Sequence, residues 1–570
     1  MESTGGNARG RRVTLAVVAI AFFGFVARIA FLGDRIAHWD EARVAYWVLN
    51  YADTGTFEYQ PIIHGPFLQQ VNHLVFELVG ANDFTMRLVV ALLGAALPLA
   101  ALLFRKRLSG AETVAFALFL AVDPILLYYS RFMRSDLPLA VFMLFALGFL
   151  IRALDTHRPR YVHLGVVALA LAFTTKENVL VYLVTWLGAL VLLVDHRLLV
   201  ERGLWFDPRA AARNRIKTLG PALRAWIPHV LLAVVEFLVV VVYFYAPRTG
   251  ADGGPGFDKL LADPTLLPAV VGEATVGSWN AFFTQWVSGD SQDHAYLPYL
   301  GDLVETLVVG SGALLVLALV GFLVDRYSEN PRDLVAFAFY WGFVSVLGYP
   351  IITDIMAPWA TVHAVVPLML PAATGAAVLY ERGTTALAHD HRPAVAAALV
   401  IALLVVGQMG YIGVENVYLD DQSESNALVQ YAQPADDLRP TIEDMAAVSA
   451  TNRGTDVLLY GDFLVSNTSG SREPKCSEWF NLLPLPWYMD AHDMNVSCAR
   501  DPSAFEDRLN ESNPPVVIGL STDSEFLAAN LEGYDERAYV LRTQDTAKTN
   551  TTFFVDESRL SRNATEQSNP

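Results

Sequence analysis

A polytopic α-helical membrane protein ending in a soluble α/β domain is the fold class this sequence predicts, and three observations predict it. Of its 570 residues, 54% are hydrophobic. Apolar runs of about 18 to 20 residues recur between residues 13 and 412, each long enough to cross a hydrocarbon core of about 30 Å. After residue 412 the runs stop and turn-forming, polar sequence takes over, as a second domain of ordinary size would require. The expected division is therefore 1–412 for the membrane part and 413–570 for the soluble part.

The runs place about 11 spans, near 13–32, 86–104, 111–129, 137–152, 161–175, 178–194, 227–246, 302–324, 333–352, 363–380 and 394–412. Basic residues occupy every second gap: Arg9 to Arg12, Arg105 to Arg107, Arg152 to Arg160, Arg197 to Arg224, Arg326 with Arg332, and Arg382 with Arg392. Short loops rich in Lys and Arg stay in the cytoplasm, so the N-terminus is expected inside and everything after residue 412 outside. The Ala-x-Ala triplet near the start, Ala19 to Ala21, lies within the first run, which reads as a retained span rather than a cleaved leader. The gap from about 247 to 301, Gly- and Asp-rich and then aromatic, is expected to be an outer loop with surface helices.

The net charge of −18 is concentrated in the tail, where residues 413–570 hold 27 acidic against 11 basic side chains. Two sources fit this balance, a salt-loving organism or an ordinary acidic exterior domain from a GC-rich genome. Within the tail, DVLLYG (456–461) and PVVIGLS (515–521) read as buried strands and DSEFLAANLEG (523–533) as a helix closed by Gly533. Five N-x-S/T triplets, at Asn467, Asn495, Asn510, Asn550 and Asn563, all fall there, either as exported acceptor sites or by composition alone. So do the two cysteines, Cys476 and Cys498, either disulfide-bonded in an oxidising exterior or free and buried.

The reactive residue types gather in the gaps assigned to the outer side. The first gap opens with HWDEA, whose Asp40 and Glu41 are candidates for a general base, or for the cap of an interfacial helix through Ala45, Val48 and Leu49. His64, which either positions an acceptor or phosphate or is simply structural, follows in HGPF, before a helical run of Phe67, Val71, Leu74, Val75 and Leu78 that suits a membrane surface. SRFMRSDLP places Arg131, Arg134 and Asp136 outside, against the positive-inside pattern. Cations there suit an anionic lipid phosphate, with headgroup snorkelling as the plainer reading. TTKEN puts Lys176 and Glu177 at the same level with hardly any loop, either a functional charge pair or a self-satisfied one. Asp354, Trp359 and His363 follow in TDIMAPWATVH, where Trp359 suits an interface anchor.

No glycine-rich phosphate loop, HExxH pair or cysteine cluster occurs, so nucleotide hydrolysis and a structural zinc site lack support; neither a metal or cofactor nor a nucleic-acid partner is expected. Activation energy would instead arrive with a lipid-linked group. These motifs, taken in order, resemble the C-type membrane glycosyltransferases, the superfamily of protein O-mannosyltransferases and the aminoarabinose transferase of lipid A: HWDEA, HGPF, SRFMRSD, TTKEN and APWATVH over about residues 13–380. With its acidic tail the chain is most similar to the haloarchaeal flippase-activity-associated group of N-glycosylation. The resemblance implies an inverting transfer from a polyprenyl (dolichyl) phosphate-linked sugar to a lipid-linked glycan or protein on the outer face, with a translocation factor as the noncatalytic alternative. It implies Asp40 as base with Glu41 and His64 beside it, and Arg131, Arg134 and Lys176 on the phosphate. Asp136, Glu177 and His363 would support them. The sequence departs from relatives in two places: HGP stands where two prolines are common, and no basic residue precedes Pro358 and Trp359.

Overall fold

The structure, a computed structural model, describes residues 2–200, 208–249, 254–260, 262–287, 294–353, 355, 357–435, 437–466, 476–542 and 550–560, with backbone alone at 2–7, 195–200 and 208–225. Asp354, Asn467 and Asn563 lie outside the described residues. The chain forms two compact units that interleave in sequence: residues 1–31, 57–68 and 88–419 in the first, and 32–56, 69–87 and 420–570 in the second.

The first unit is a helical membrane body. Among the described residues of the chain, eight helices are long and apolar enough to cross a membrane: Ala8–Ile29, Asp83–Phe104, Asp136–Thr156, Trp226–Tyr245, Tyr296–Arg326, Asp333–Ile352, Pro358–Ala388 and Arg392–Leu419. Shorter apolar helices run over Gly110–Val122, Arg160–Thr175 and Val179–Val194, so each apolar run of the sequence coincides with a helix. The run at 111–129 is two helices, because the Asp123 carboxylate caps Pro124–Tyr129 by accepting from the Leu126 amide at 3.1 Å.

Small residues allow the body to pack closely. A Cβ on Gly321 would lie 2.0 Å from the Pro371 carbonyl oxygen, and one on Gly375 2.2 Å from that of Leu317. The helices carrying them therefore meet backbone to backbone, as membrane helices do where the hydrophobic effect gives no drive to associate. Helix Tyr296–Arg326 breaks at Ser311, which has φ −135°. The backbone groups loosened there find side-chain partners: Gln408 donates to the Val309 carbonyl at 2.8 Å and accepts from the Ala313 amide at 3.1 Å. Ser311 itself donates to Asp123 at 2.5 Å.

The second unit contains a five-stranded sheet in the order β2-β1-β3-β5-β4, with β1 Val457–Tyr460, β2 Val496–Ala499, β3 Val516–Leu520, β4 Asp535–Val540 and β5 Asn550–Val555. β2, β1 and β3 are parallel, and β5 pairs antiparallel with both β3 and β4. Both expected strands are present, and Ser524–Asn530 forms the expected helix. Leu458, Val517, Phe505, Leu527 and Phe554 make its core. Cys476 and Cys498 are disulfide-bonded, and Asn495, Asn510 and Asn550 are exposed.

The same unit takes in most of the first outer gap. Asp83 accepts from the Trp487 indole at 3.1 Å and the Tyr488 hydroxyl at 3.0 Å, and Tyr488 in turn accepts from the Ala37 amide at 2.7 Å. Arg439 donates to the carbonyls of Gly33 and Asp34, each at 2.7 Å. Helix Phe67–Val79 buries Gln69, Gln70 and Asn72 while Leu74, Leu78 and Val79 are exposed. It buries Phe67, Leu68 and Phe76 as well, so the exposed apolar residues gather in its last two turns, an exposure that suits contact with lipid.

Candidate functional site

In the membrane unit the cations gather on one carboxylate. Asp136 opens helix Asp136–Thr156 and is 1% exposed. Lys176 donates to its Oδ1 at 2.8 Å, His363 Nε2 lies 3.0 Å from the same oxygen, and Arg134 Nε is 3.5 Å from Oδ2. Lys176 is extended between helices Arg160–Thr175 and Val179–Val200, so its position is set by two helix ends rather than by a loop. An ionised carboxylate only accepts, which assigns the proton of His363 to Nε2 and leaves Nδ1 to accept from the Tyr182 hydroxyl at 2.8 Å. His363 also stacks on Tyr349, with centroids 4.6 Å apart. It is thereby a fully buried positioning group for Asp136 and, through it, for Lys176.

Arg134 stands over the Trp359 ring, 3.4 Å from its centroid. Although the PW element lacks its own basic residue, a cation reaches it from the SR element. Arg131 is engaged elsewhere: its guanidinium donates to the Arg28, Ala30 and Phe31 carbonyls and lies 4.6 Å from the Tyr418 ring centroid. It closes the C-terminal end of helix Glu2–Ile29, a placement that favours cations.

His64 and Glu177 meet beside Lys176. His64 Nδ1 lies 3.1 Å from Glu177 Oε2, the Tyr59 hydroxyl donates to Oε1, and the His64 ring stacks on Trp286 at 5.7 Å. Burial and the nearby Lys176 charge push the His64 pKa below its ordinary value, against the pull of Glu177. Burial and Glu177 likewise push the Tyr59 phenol up, keeping it a donor. The glycine of HGP has a steric cause. The Gly65 amide donates to the Thr175 carbonyl at 3.1 Å, and a Cβ on Gly65 would sit 2.3 Å from the Thr174 carbonyl oxygen. His64 is held at φ +68° by these neighbours, an uncommon backbone state that packed surroundings sustain.

In the second unit the acidic pair divides. His38 caps helix Trp39–Thr54, and Glu41 completes the capping box by accepting from the His38 amide at 3.1 Å. Glu41 is fully buried and also takes two bonds from Arg87, at 2.9 and 2.8 Å, and one from Arg35 at 3.1 Å. Asp40 pairs with Arg43 at 2.9 Å. Arg87, Arg35, His38, Tyr182, Tyr59 and Trp286 do not stand out in the sequence as site residues. Arg87, a cation at the head of an apolar run, carried a signal; the aromatic residues carried none.

Two family models match. That described as dolichyl-phosphate-mannose-protein mannosyltransferase covers residues 63–208, and that described as the Agl23 flippase-associated protein C-terminal domain covers 438–556. The sequence matches none of the curated proteins. Among solved structures, ArnT from Cupriavidus metallidurans with bound undecaprenyl phosphate superposes with a TM-score of 0.55 at 15% identity, over 95% of this chain and 98% of that one. Its apo form gives 0.54 at 16% identity over 95% and 97%. This chain has the fold of the C-type membrane glycosyltransferases. The apo oligosaccharyltransferase of Archaeoglobus fulgidus gives a TM-score of 0.46 at 14% identity over 89% of this chain and 69% of that one. The C-type fold here is thus a multi-pass membrane protein whose tail matches the flippase-associated domain.

Proposed function

We propose that this protein is a membrane glycosyltransferase that moves a sugar from a polyprenyl phosphate, dolichyl phosphate in a haloarchaeal membrane, to a lipid-linked glycan or protein on the outer face. The observation that carries the reading is the buried cluster in which Asp136 holds Lys176 and Arg134 at helix ends. Two cations held in place where lipid phosphate arrives stabilise a phosphate leaving group without reorganising during the reaction. Undecaprenyl phosphate bound to the ArnT structure supports a lipid-phosphate ligand.

In this mechanism an acceptor hydroxyl attacks the anomeric carbon while Asp40 takes its proton. The bond from that carbon to the phosphate oxygen breaks, and polyprenyl phosphate leaves with the electron pair and inversion at the carbon. Lys176 supplies a compact point charge and Arg134 a planar fork. Glu41, committed to Arg87, Arg35 and its helix cap, holds the segment that carries Asp40. Asp40 serves an outer-face acceptor only if residues 413–570 are outside, and reagents that cannot cross the membrane will label that tail in whole cells.

The flippase-associated match of residues 438–556 favours a second reading, a noncatalytic factor in translocation of lipid-linked glycan. Complementation of a deletion strain separates the two. Asp40→Asn, which keeps shape and loses the base, is expected to lower the mature surface glycan by about 100-fold or more. Full restoration by Asp40→Asn would sink the catalytic reading.

A further inference from the structure

Within the second unit, the helix that carries Asp40 meets the tail through two pairs of aromatic rings. Trp39 and Tyr46 stand seven residues apart on helix Trp39–Thr54, and so share one face of it. A single turn of the tail, Trp479–Leu482, answers both. Trp479 packs on Tyr46 with centroids 4.7 Å apart, and Phe480 stacks on Trp39 at 5.6 Å with the planes 22° apart. The two tail residues differ in burial. Trp479 is 3% exposed, whereas Phe480, stacked on the chain neighbour of Asp40, is 44% exposed.

The open ring is fixed in place. The Phe480 carbonyl accepts from the Trp39 indole at 2.9 Å and from the Arg542 guanidinium, and Arg43, which pairs with Asp40, lies 4.8 Å from the Trp39 ring centroid. A ring that is already ordered loses little entropy when a ligand packs on it. Its π face is negative and attracts polarised C–H groups, such as those on the less hydroxylated face of a pyranose. Asp40, Arg43 and Arg542 around the pair are of the types that accept from or donate to hydroxyls at the rim of such a sugar. A peptide finds less here. Extended peptides are held through their backbone, and main-chain groups around Trp39 are already engaged: the Tyr431 carbonyl with His38 Nε2 at 2.9 Å, that of Ala432 with the Trp39 amide at 3.4 Å, and the Ala37 amide with the Tyr488 hydroxyl at 2.7 Å.

We infer that Phe480 on Trp39 is the platform on which a sugar of the acceptor packs, so that the acceptor is a glycan and the tail takes part in recognising it. The inference rests on Asp40 as the base that receives the acceptor hydroxyl. Phe480 lies in the stretch that matches the flippase-associated domain, which gives that domain a role in binding the substrate.

The test uses the full-length protein in detergent and saturation-transfer NMR with the methyl glycosides of glucose, galactose, mannose and N-acetylglucosamine, and with a serine- and threonine-rich peptide. At least one glycoside is expected to bind, with the strongest transfer at its C–H protons. Phe480→Ala should weaken that binding about tenfold, and Phe480→Tyr, which restores a ring, should keep it within about twofold of wild type. Melting temperature and affinity for bare polyprenyl phosphate should stay unchanged in both, since the ring is exposed. Binding of no glycoside, equal binding by Phe480→Ala and wild type, or Phe480-dependent binding of the peptide alone overturns the inference. Complementation of the deletion strain reads the base separately. Full restoration of the surface glycan by Asp40→Asn overturns the base and with it the acceptor assignment, even where Phe480-dependent binding persists. An inactive Asp40→Asn together with glycoside binding that ignores Phe480 overturns the platform alone.

Discussion

Single residues at this site carry both structure and chemistry, and Lys176 is the clearest case. It is 4% exposed and paired with Asp136 at 2.8 Å, so its removal strands a buried carboxylate. Lys176→Met is expected to cost about 3 kcal/mol in a detergent melt, toward the low end for a broken buried pair because Arg134 and His363 stay on Asp136. Lys176→Arg should recover most of that stability but not polyprenyl phosphate binding, since a planar fork does not replace a compact ammonium there. Equal binding by Lys176→Arg and wild type would remove Lys176 from the phosphate site. The acidic pair teaches a related lesson. Successive residues on a helix point about 100° apart, so Asp40 faces Arg43 while Glu41 turns inward onto Arg87. The sequence offered two equivalent acids, and only the distant arginine distinguishes them.

Elements were legible where one physical cause dominated. Apolar runs of bilayer length became helices because unpaired backbone is too costly in hydrocarbon to permit anything else. The short strands Val457–Tyr460 and Val516–Leu520 were legible as buried apolar runs between turn signals. The breaks were hidden, since Ser311 answers to Asp123 and Trp286, in the π turn at 283–287, to Pro61 and His64, all far away in sequence. At Ser311 that dependence gives a measurable expectation. Gln408 answers two backbone groups across the break, so Gln408→Leu should destabilise the membrane unit by about 2–4 kcal/mol in a thermal melt, while Leu399→Ala, on the exposed surface of the same helix, should leave it within about 0.5 kcal/mol.

At the scale of the whole molecule, charge and covalent structure divide along the chain. The tail holds nearly all of the net negative charge and both cysteines, the pair the sequence had left open between bonded and free. Their bond closes a loop of 22 residues, and reduction or Cys476→Ser with Cys498→Ser is expected to cost about 2–4 kcal/mol. The loss should appear as a lower melting transition for the sheet unit, with the transition of the helical unit unmoved. Domain organisation was legible only as a change in composition. That residues 32–56 and 69–87 cluster with the tail rests on partners such as Asp83 with Trp487 and Arg439 with Gly33, which no local pattern announces.

The contact between Gly65 and Thr175 has a mechanical consequence. A backbone hydrogen bond with no room for even a methyl group between the two segments couples the turn bearing His64 to the bend bearing Lys176. A lid hinged at that turn would drag the Lys176 ammonium with it and strain its pair with Asp136. On the proposed lipid-phosphate reading, an opening for the headgroup would therefore pivot away from the seam at Gly65.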